Sequence, residues 1–402
     1  MHTNGISRRG FLRTAAGAFG LPMFVSSRVF GANDRFTLAG IGMGGQGRGD
    51  LGGALGFSEV QVVAVCDVVA EHCRAAKNMV DGRYGNSDCK EYVDFRDVVS
   101  RDDIDAVLIA TPDHWHAIIA IEAMKHGKDV YCEKPETLTV RQGQEMIKVA
   151  RRYGRVFSGG SQRVWDDYNW YHRMVWGGMV GEVKEAWVNV GGPSEECYLP
   201  PEPVPAGVDW DMWLGPAPQR PFAMTLIKGG FRQFRDYSGG GMTDWGCHGF
   251  GGALYCLRLH ETGPVEILPP DGKDIKRLTF VFENGVRIYH GGGWGGVVSF
   301  KGTEGELPNR VTGESAAAPN VYVPNYKGRG GIFGDFVHCV RTRQLPFRDI
   351  AVAHRTASLC HLGNIAYWLK RPLKWDPVKE EIVGDAAANR WLDRPMRQPW
   401  AL

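Results

Sequence analysis

Two textures of hydrophobic patterning divide this chain near residue 157. Before that point, short unbroken apolar runs alternate with longer segments of helical period. Phe36–Ile41, Val60–Cys66, residues 106–110 and Asp129–Cys132 have strand length and little polar interruption, the pattern of strands buried on both faces of a parallel sheet. Residues 117–124 and Val140–Tyr153 read as helices, and residues 155–157 begin the strand that leaves this half. After residue 157 the strands alternate in character. Residues 183–190 are one such strand, and residues 293–301 continue the series. Residues 278–282 and 286–290 flank Glu283-Asn284-Gly285, and Asn-Gly between two such runs is a strong hairpin signal. Residues 192–213 are proline-rich and irregular, the composition of a surface loop near a site. The expected chain is α/β: a parallel-sheet domain over 33–157, then an α+β domain with a largely antiparallel open sheet over 158–402.

The first half carries a glycine signature between its strands. Gly42-Met43-Gly44-Gly45-Gln46-Gly47 follows the first apolar run and reads G-x-G-x-x-G. The first glycine permits a tight turn, the second lets the backbone approach a pyrophosphate, and the third lets the next helix pack on the strand. That helix's amino terminus offers free N–H groups to phosphate. The second run ends in Asp67, placed to accept hydrogen bonds from both ribose hydroxyls and to repel a 2′-phosphate. Strand, glycines, strand and acid together predict a Rossmann domain with NAD(H) favoured over NADP(H).

Glu133-Lys134-Pro135 closes the run Asp129–Cys132. A lysine at the carboxyl end of a parallel strand faces the crevice where such sheets bind ligands. The proline fixes its own φ and biases Lys134 to an extended conformation. A lysine whose pKa is lowered by burial or a neighbouring cation can act as general base on a sugar hydroxyl. A second constellation lies in Gly239-Gly240-Gly241-Met242-Thr243-Asp244-Trp245-Gly246-Cys247-His248. If the segment from Met242 is one helix, Asp244 and His248 share a face and can orient a hydroxyl and relay its proton. A capping aspartate and a core histidine would give the same pattern. D-x-x-x-H lacks a convincing third zinc ligand, so no metal is expected. Trp210, Trp213 and Trp245 suit either a sugar-stacking platform or ordinary packing.

Composition narrows the class. At 402 residues, 43% hydrophobic and 23% charged, the chain is ordinary globular protein of about two domains. The net charge of +2 is misleading, because residues 1–32 hold Arg8, Arg9, Arg13 and Arg28 and no acid, which leaves −2 for the remainder. No basic tract favours nucleic acid, and no long apolar span is expected to cross a membrane after processing. Ser7-Arg8-Arg9-Gly10-Phe11-Leu12 resembles a twin-arginine export signal, followed by an alanine- and glycine-rich stretch and a small-residue cleavage site at Phe30-Gly31-Ala32. Residues 1–32 are therefore set aside as a signal peptide, and a periplasmic or otherwise exported location is expected. Nine cysteines form no C-x-x-C pair, and their odd number argues against a full disulfide framework.

Taken together, Gly42 to Gly47, Asp67, Ala110-Thr111-Pro112, Glu133-Lys134-Pro135 and Asp244 to His248 resemble the Gfo/Idh/MocA family of NAD(P)-dependent sugar and polyol oxidoreductases, over nearly all of residues 34–402. The resemblance implies that Lys134 and His248 serve in acid–base chemistry and that Asp244 binds and orients a carbohydrate. It implies cofactor contacts from Gly42, Gly44, Gly45, Gln46, Gly47, Asp67, Thr111, Pro112, His116 and Glu133. Arg163, in Ser161-Gln162-Arg163, falls where the family often contacts substrate, beside Asp244 and His248. The open sheet of such proteins often supports homo-oligomers. The expected activity is oxidation or reduction of a sugar or polyol hydroxyl with a tightly bound, internally recycled NAD. The alternative is a glycoside hydrolase or lyase working through a transient keto-sugar.

Overall fold

The computed structural model describes residues 35–294, 296–307 and 318–402; the expected export signal lies outside them. The apolar runs of the first half become one six-stranded sheet. Its strands are β1 (Phe36–Ile41), β2 (Val60–Cys66), β3 (Lys90–Tyr92), β4 (Ala106–Ile109), β5 (Asp129–Cys132) and β6 (Phe157–Gly159). The order is β3-β2-β1-β4-β5-β6 and every pairing is parallel. Every residue of β4 and β5 is buried, which explains their unbroken apolar character. Ala39, Ile41, Val107, Ile109 and Val130 point to one face, against helices Asp113–Lys125 and Val140–Tyr153. Leu38, Val62, Leu108 and Tyr131 point to the other, against helices Gly45–Ala54 and Ala70–Tyr84.

The same face also receives helix Gly331–Thr342 from much later in the chain, through Phe333, Phe336 and Val337. At the carboxyl end of the chain, Trp400 sits 4.7 Å from Trp115, centroid to centroid. The second half thus returns twice to brace the first.

The second sheet has eight strands: β7 (Val183–Val188), β8 (Glu266–Leu268), β9 (Thr279–Val281), β10 (Arg287–His290), β11 (Val298–Gly302), β12 (Glu306–Leu307), β13 (Leu373–Asp376) and β14 (Glu381–Ile382). The order is β12-β11-β7-β10-β9-β8-β13-β14, antiparallel except where β7 meets β10. The Asn284-Gly285 hairpin forms as expected: Gly285 has φ +81°, and Phe282 N–H donates to the Val286 carbonyl at 2.9 Å. Ala186, Val188, Phe280, Ile288 and Phe300 bury one sheet face against helices Gly246–Cys256 and Ile350–Leu369. The opposite face carries Trp187 and Tyr289, stacked 5.3 Å apart.

Candidate active site

The glycine loop separates into two kinds of position. Gly42 has φ +83°, and a Cβ there would stand 2.5 Å from the Thr111 nitrogen. A Cβ on Gly47 would stand 2.0 Å from the Gly42 carbonyl oxygen. The turn and the helix contact demand those two glycines. A Cβ on Gly44 or Gly45 would meet nothing within 4 Å. These middle glycines border a cleft of about 400 Å³, which is also lined by Gly42, Gln46, Asp67, Thr111 and Pro112. Open space over bare backbone at a helix amino terminus is what a dinucleotide phosphate requires. Asp67 accepts hydrogen bonds from the Met43 and Val69 amides at 2.6 and 2.8 Å, which fixes its carboxylate at the end of β2. The residues present therefore fit NAD: Gly44, Gly45 and the helix terminus for the phosphates, Asp67 for a ribose.

The far wall of this cleft comes from the second half of the chain: Met212, Trp213, Leu226, Ile227, Lys228, Phe231 and Arg232. Their segment is tied directly to the chain just after Asp67. Ala70 N–H donates to the Gly207 carbonyl at 2.8 Å and Asp209 N–H to the Val68 carbonyl at 2.9 Å.

Lys134 stands at the end of β5, and its Nζ lies 2.5 Å from Asp244 Oδ1. Arg232 Nε lies 3.5 Å from the same oxygen, so Arg232 borders both the cleft and the lysine–aspartate pair. Burial works to lower the Lys134 pKa, but Asp244 and Glu133 overcome it, and the net shift is upward. The expectation of a lysine lowered in pKa is thereby corrected: in the free protein Lys134 is held as an ammonium.

The segment from Met242 is not one continuous helix. Gly241–Asp244 and Gly246–Cys256 are separate helices, with a turn at Trp245. Asp244 turns to Lys134, whereas His248 Nδ1 lies 2.9 Å from Ser161 Oγ, which in turn donates to the Cys247 carbonyl at 3.1 Å. With the hydroxyl proton on that carbonyl, Nδ1–H donates to Ser161 and Nε2 carries the lone pair. Burial and the charges of Lys134, Arg163 and Arg348 push the imidazole down to about 2, so His248 is neutral.

Three predicted cofactor residues stand outside the cleft lining. His116 has Nδ1 2.8 Å from the Pro135 carbonyl and Nε2 2.7 Å from the Thr111 carbonyl, so it clamps the ends of β4 and β5 together. Burial pushes this ring's pKa down while the two carbonyls and Glu136 pull against it. Glu133 is buried beside Gly160. Burial and nearby Asp50 raise its carboxyl well above the usual range. Gly47 serves the helix contact described above. Arg163 is half-exposed and paired with Asp167 at 2.7 Å. Trp210 and Trp213 are buried and stacked on each other 4.8 Å apart, which removes them as a sugar platform.

Two residues were given no role from sequence. Arg232 follows an unremarkable glycine pair and gains its place through the fold alone. Asp113 lies inside Thr111-Pro112-Asp113, and an acid in the first turn of a helix after a strand end was the available signal. It is 3% exposed, its Oδ2 lacks a hydrogen-bond partner, and burial raises it to about 7. Among the described residues, no group of three His, Cys, Asp or Glu side chains is placed to hold a metal, and no helix is long and apolar enough to cross a membrane.

Comparison with known proteins agrees with this geometry. Residues 35–161 match the model of the oxidoreductase family's NAD-binding Rossmann fold, and residues 182–402 match that of its C-terminal alpha/beta domain. A glycosyl hydrolase family 109 protein of Saccharopolyspora erythraea is 30% identical over 214 residues, 45% of each chain. An inositol 2-dehydrogenase of Salmonella typhimurium is 35% identical over 98 residues, 24% of this chain and 28% of that one. The alignments thus span less than half the length of these curated relatives. Among solved structures, myo-inositol 2-dehydrogenase from Lactobacillus plantarum superposes with a TM-score of 0.59 at 19% identity, over 85% of this chain and 99% of that one. Aldose-aldose oxidoreductase from Caulobacter crescentus gives 0.58 at 17% over the same shares. At such identities these likenesses speak for the fold alone. With both family domains matched in order and a cleft lined by the glycine loop and Asp67, the chain belongs to the Gfo/Idh/MocA oxidoreductase family and takes NAD as its cofactor.

Proposed function

We propose that the protein oxidises or reduces a hydroxyl carbon of a sugar or polyol and retains its NAD between turnovers. The observation that carries this reading is the Lys134–Asp244 pair at the end of β5, beside neutral His248 and joined by Arg232 to the dinucleotide cleft. Bound NAD supplies the hydride acceptor or donor; the side chains supply the rest. In the reducing direction the Lys134 ammonium donates a proton to the substrate oxygen and stabilises the charge that develops there. In the oxidising direction His248 Nε2 accepts a hydrogen bond from the hydroxyl, and Lys134 must first lose its proton. Asp244 holds Lys134 and fixes the ring.

Two further features support retention of the cofactor. The segment around residues 205–232 forms the far wall of the cleft and is hydrogen-bonded to the residues after Asp67, which ties both walls of the cofactor site together. Residues 1–32 resemble a twin-arginine signal, and export to a compartment without a nicotinamide pool favours a cofactor reoxidised in place. Replacing Arg8 and Arg9 with Lys should leave the protein in the cytoplasm. The half-buried Trp187–Tyr289 face of the second sheet suits contact between copies in a homo-oligomer.

The likeness to a glycosyl hydrolase family 109 protein favours a second reading, redox-neutral cleavage of a glycoside through a transient keto-sugar. One screen separates the two. Purified protein is incubated with a panel of glycosides, and nicotinamide absorbance and aglycone release are followed together. Net cofactor reduction without cleavage supports the oxidoreductase. Cleavage without net reduction supports the second reading.

A further inference from the structure

Trp245 occupies the turn between helices Gly241–Asp244 and Gly246–Cys256, with the proposed substrate ligands Asp244 and His248 on either side. It is 44% exposed, whereas Trp210 and Trp213 are buried. Exposing that much indole forgoes burial worth roughly 25 cal/mol per Å² of apolar surface. Yet the side chain is pinned. The Arg163 guanidinium lies 5.0 Å above the indole centroid, Arg163 itself is held by Asp167 at 2.7 Å, and the His248 ring meets the indole edge-to-face at 5.8 Å. The chain Asp167–Arg163–Trp245–His248–Ser161 therefore holds an exposed aromatic surface in fixed relation to the acid–base group. Such preorganisation lowers the ordering cost of binding.

We infer that Trp245 is the platform for the apolar C–H face of a cyclic sugar, so that the substrate is a pyranose rather than an open-chain polyol. This rests on the proposed function and narrows it. Arg163 lies over the indole and His248 packs against it, and the 44% of the residue that stays exposed is the surface offered to the ligand. Ring C–H groups carry partial positive charge and suit the negative face of the indole. A ring lying there reaches Asp244, the neighbour of Trp245 in the chain, and His248, whose imidazole packs against the indole. An open-chain polyol presents no rigid face and must freeze several rotors to lie flat.

The test uses the full-length, NAD-loaded protein with Trp245→Ala and Trp245→Phe. Dissociation constants are measured by calorimetry for a panel of pyranosides and for the matching open-chain alditols. NAD affinity and sedimentation mass are measured in parallel. The expected result is that pyranosides bind the parent more tightly than alditols. Trp245→Ala should weaken pyranosides roughly 3- to 10-fold, in the range of an aromatic contact. It should leave NAD affinity unchanged, and Trp245→Phe should recover most of the loss. Equal pyranoside affinity in parent and Trp245→Ala overturns the inference, as does preference for alditols. A fall in assembly mass with sugar affinity intact also overturns it and makes Trp245 a contact between copies. Pyranoside binding that depends on Trp245 without any hydride transfer upholds the platform while refuting the proposed function.

Discussion

The two classes of glycine in the phosphate loop make a prediction that separates folding from cofactor binding. Gly47→Ala places a methyl 2.0 Å from the Gly42 carbonyl oxygen, 3.0 Å from its carbon and 3.1 Å from Met43 Cε. The first of these is backbone and cannot swing aside, so the helix must shift. Overpacking of this kind costs about 1–3 kcal/mol. Alanine's helix preference returns less than about 1 kcal/mol of it. Gly45→Ala meets no protein atom within 4 Å and sits in the first turn of the same helix. Its folding stability should equal the parent's or exceed it slightly. Its methyl instead enters the cleft where NAD phosphate must approach bare backbone. NAD affinity should fall at least about tenfold, about 1.4 kcal/mol. Thermal unfolding is measured on cofactor-free protein, because bound NAD stabilises the fold by mass action. Binding is measured separately by titration. Parental NAD affinity in Gly45→Ala would refute the cradle, and parental stability in Gly47→Ala would refute the packing argument.

Asp67→Ala should weaken NAD and narrow its advantage over NADP, read from titrations of both; equal NAD affinity in variant and parent would remove Asp67 from the ribose site. With His248 pushed to about 2 and Lys134 raised, two carboxyls that feel the Lys134 charge are lifted toward neutrality by burial, Asp113 to about 7 and Asp50 to about 6. Hydride transfer should therefore show a step near pH 7 that Asp113→Asn abolishes, and persistence of the step in the variant would assign it elsewhere. Because the folded-state pKa of Lys134 is raised, its pairing with Asp244 stabilises the fold below the ordinary lysine pKa. That stability is lost as pH rises through the raised value, so Lys134→Met should flatten the alkaline limb of thermal stability against pH.

Much of the architecture was legible because short-range physics decided it. The unbroken runs at β4 and β5 are strands buried on both faces, β1 and β2 are mostly so, and Asn284-Gly285 turns one strand back on the next. The glycine loop carried its own steric logic at Gly42 and Gly47. Lys134 was identified from its position after β5, but its protonation state was not, because that depends on Asp244 arriving from the other half of the chain. Arg232 was missed for the same reason. The carbonyl contacts of His116 were not legible, because a histidine near a strand end serves equally well as a ligand or as a clamp, and the carbonyls of Thr111 and Pro135 that hold its ring belong to different loops. The turn at Trp245 breaks a segment whose composition permits a continuous helix. The return of helix Gly331–Thr342 to the first sheet has no local signature at all.

The most direct test of the account is single-turnover hydride transfer by Lys134→Met loaded with NAD, followed by nicotinamide absorbance across pH on a sugar the parent turns over. The account predicts unchanged NAD affinity, since the phosphates are held by backbone near Gly44 and Gly45, and a rate lower by about 10²–10⁴-fold. Transfer at the parent's rate throughout the pH range would contradict it.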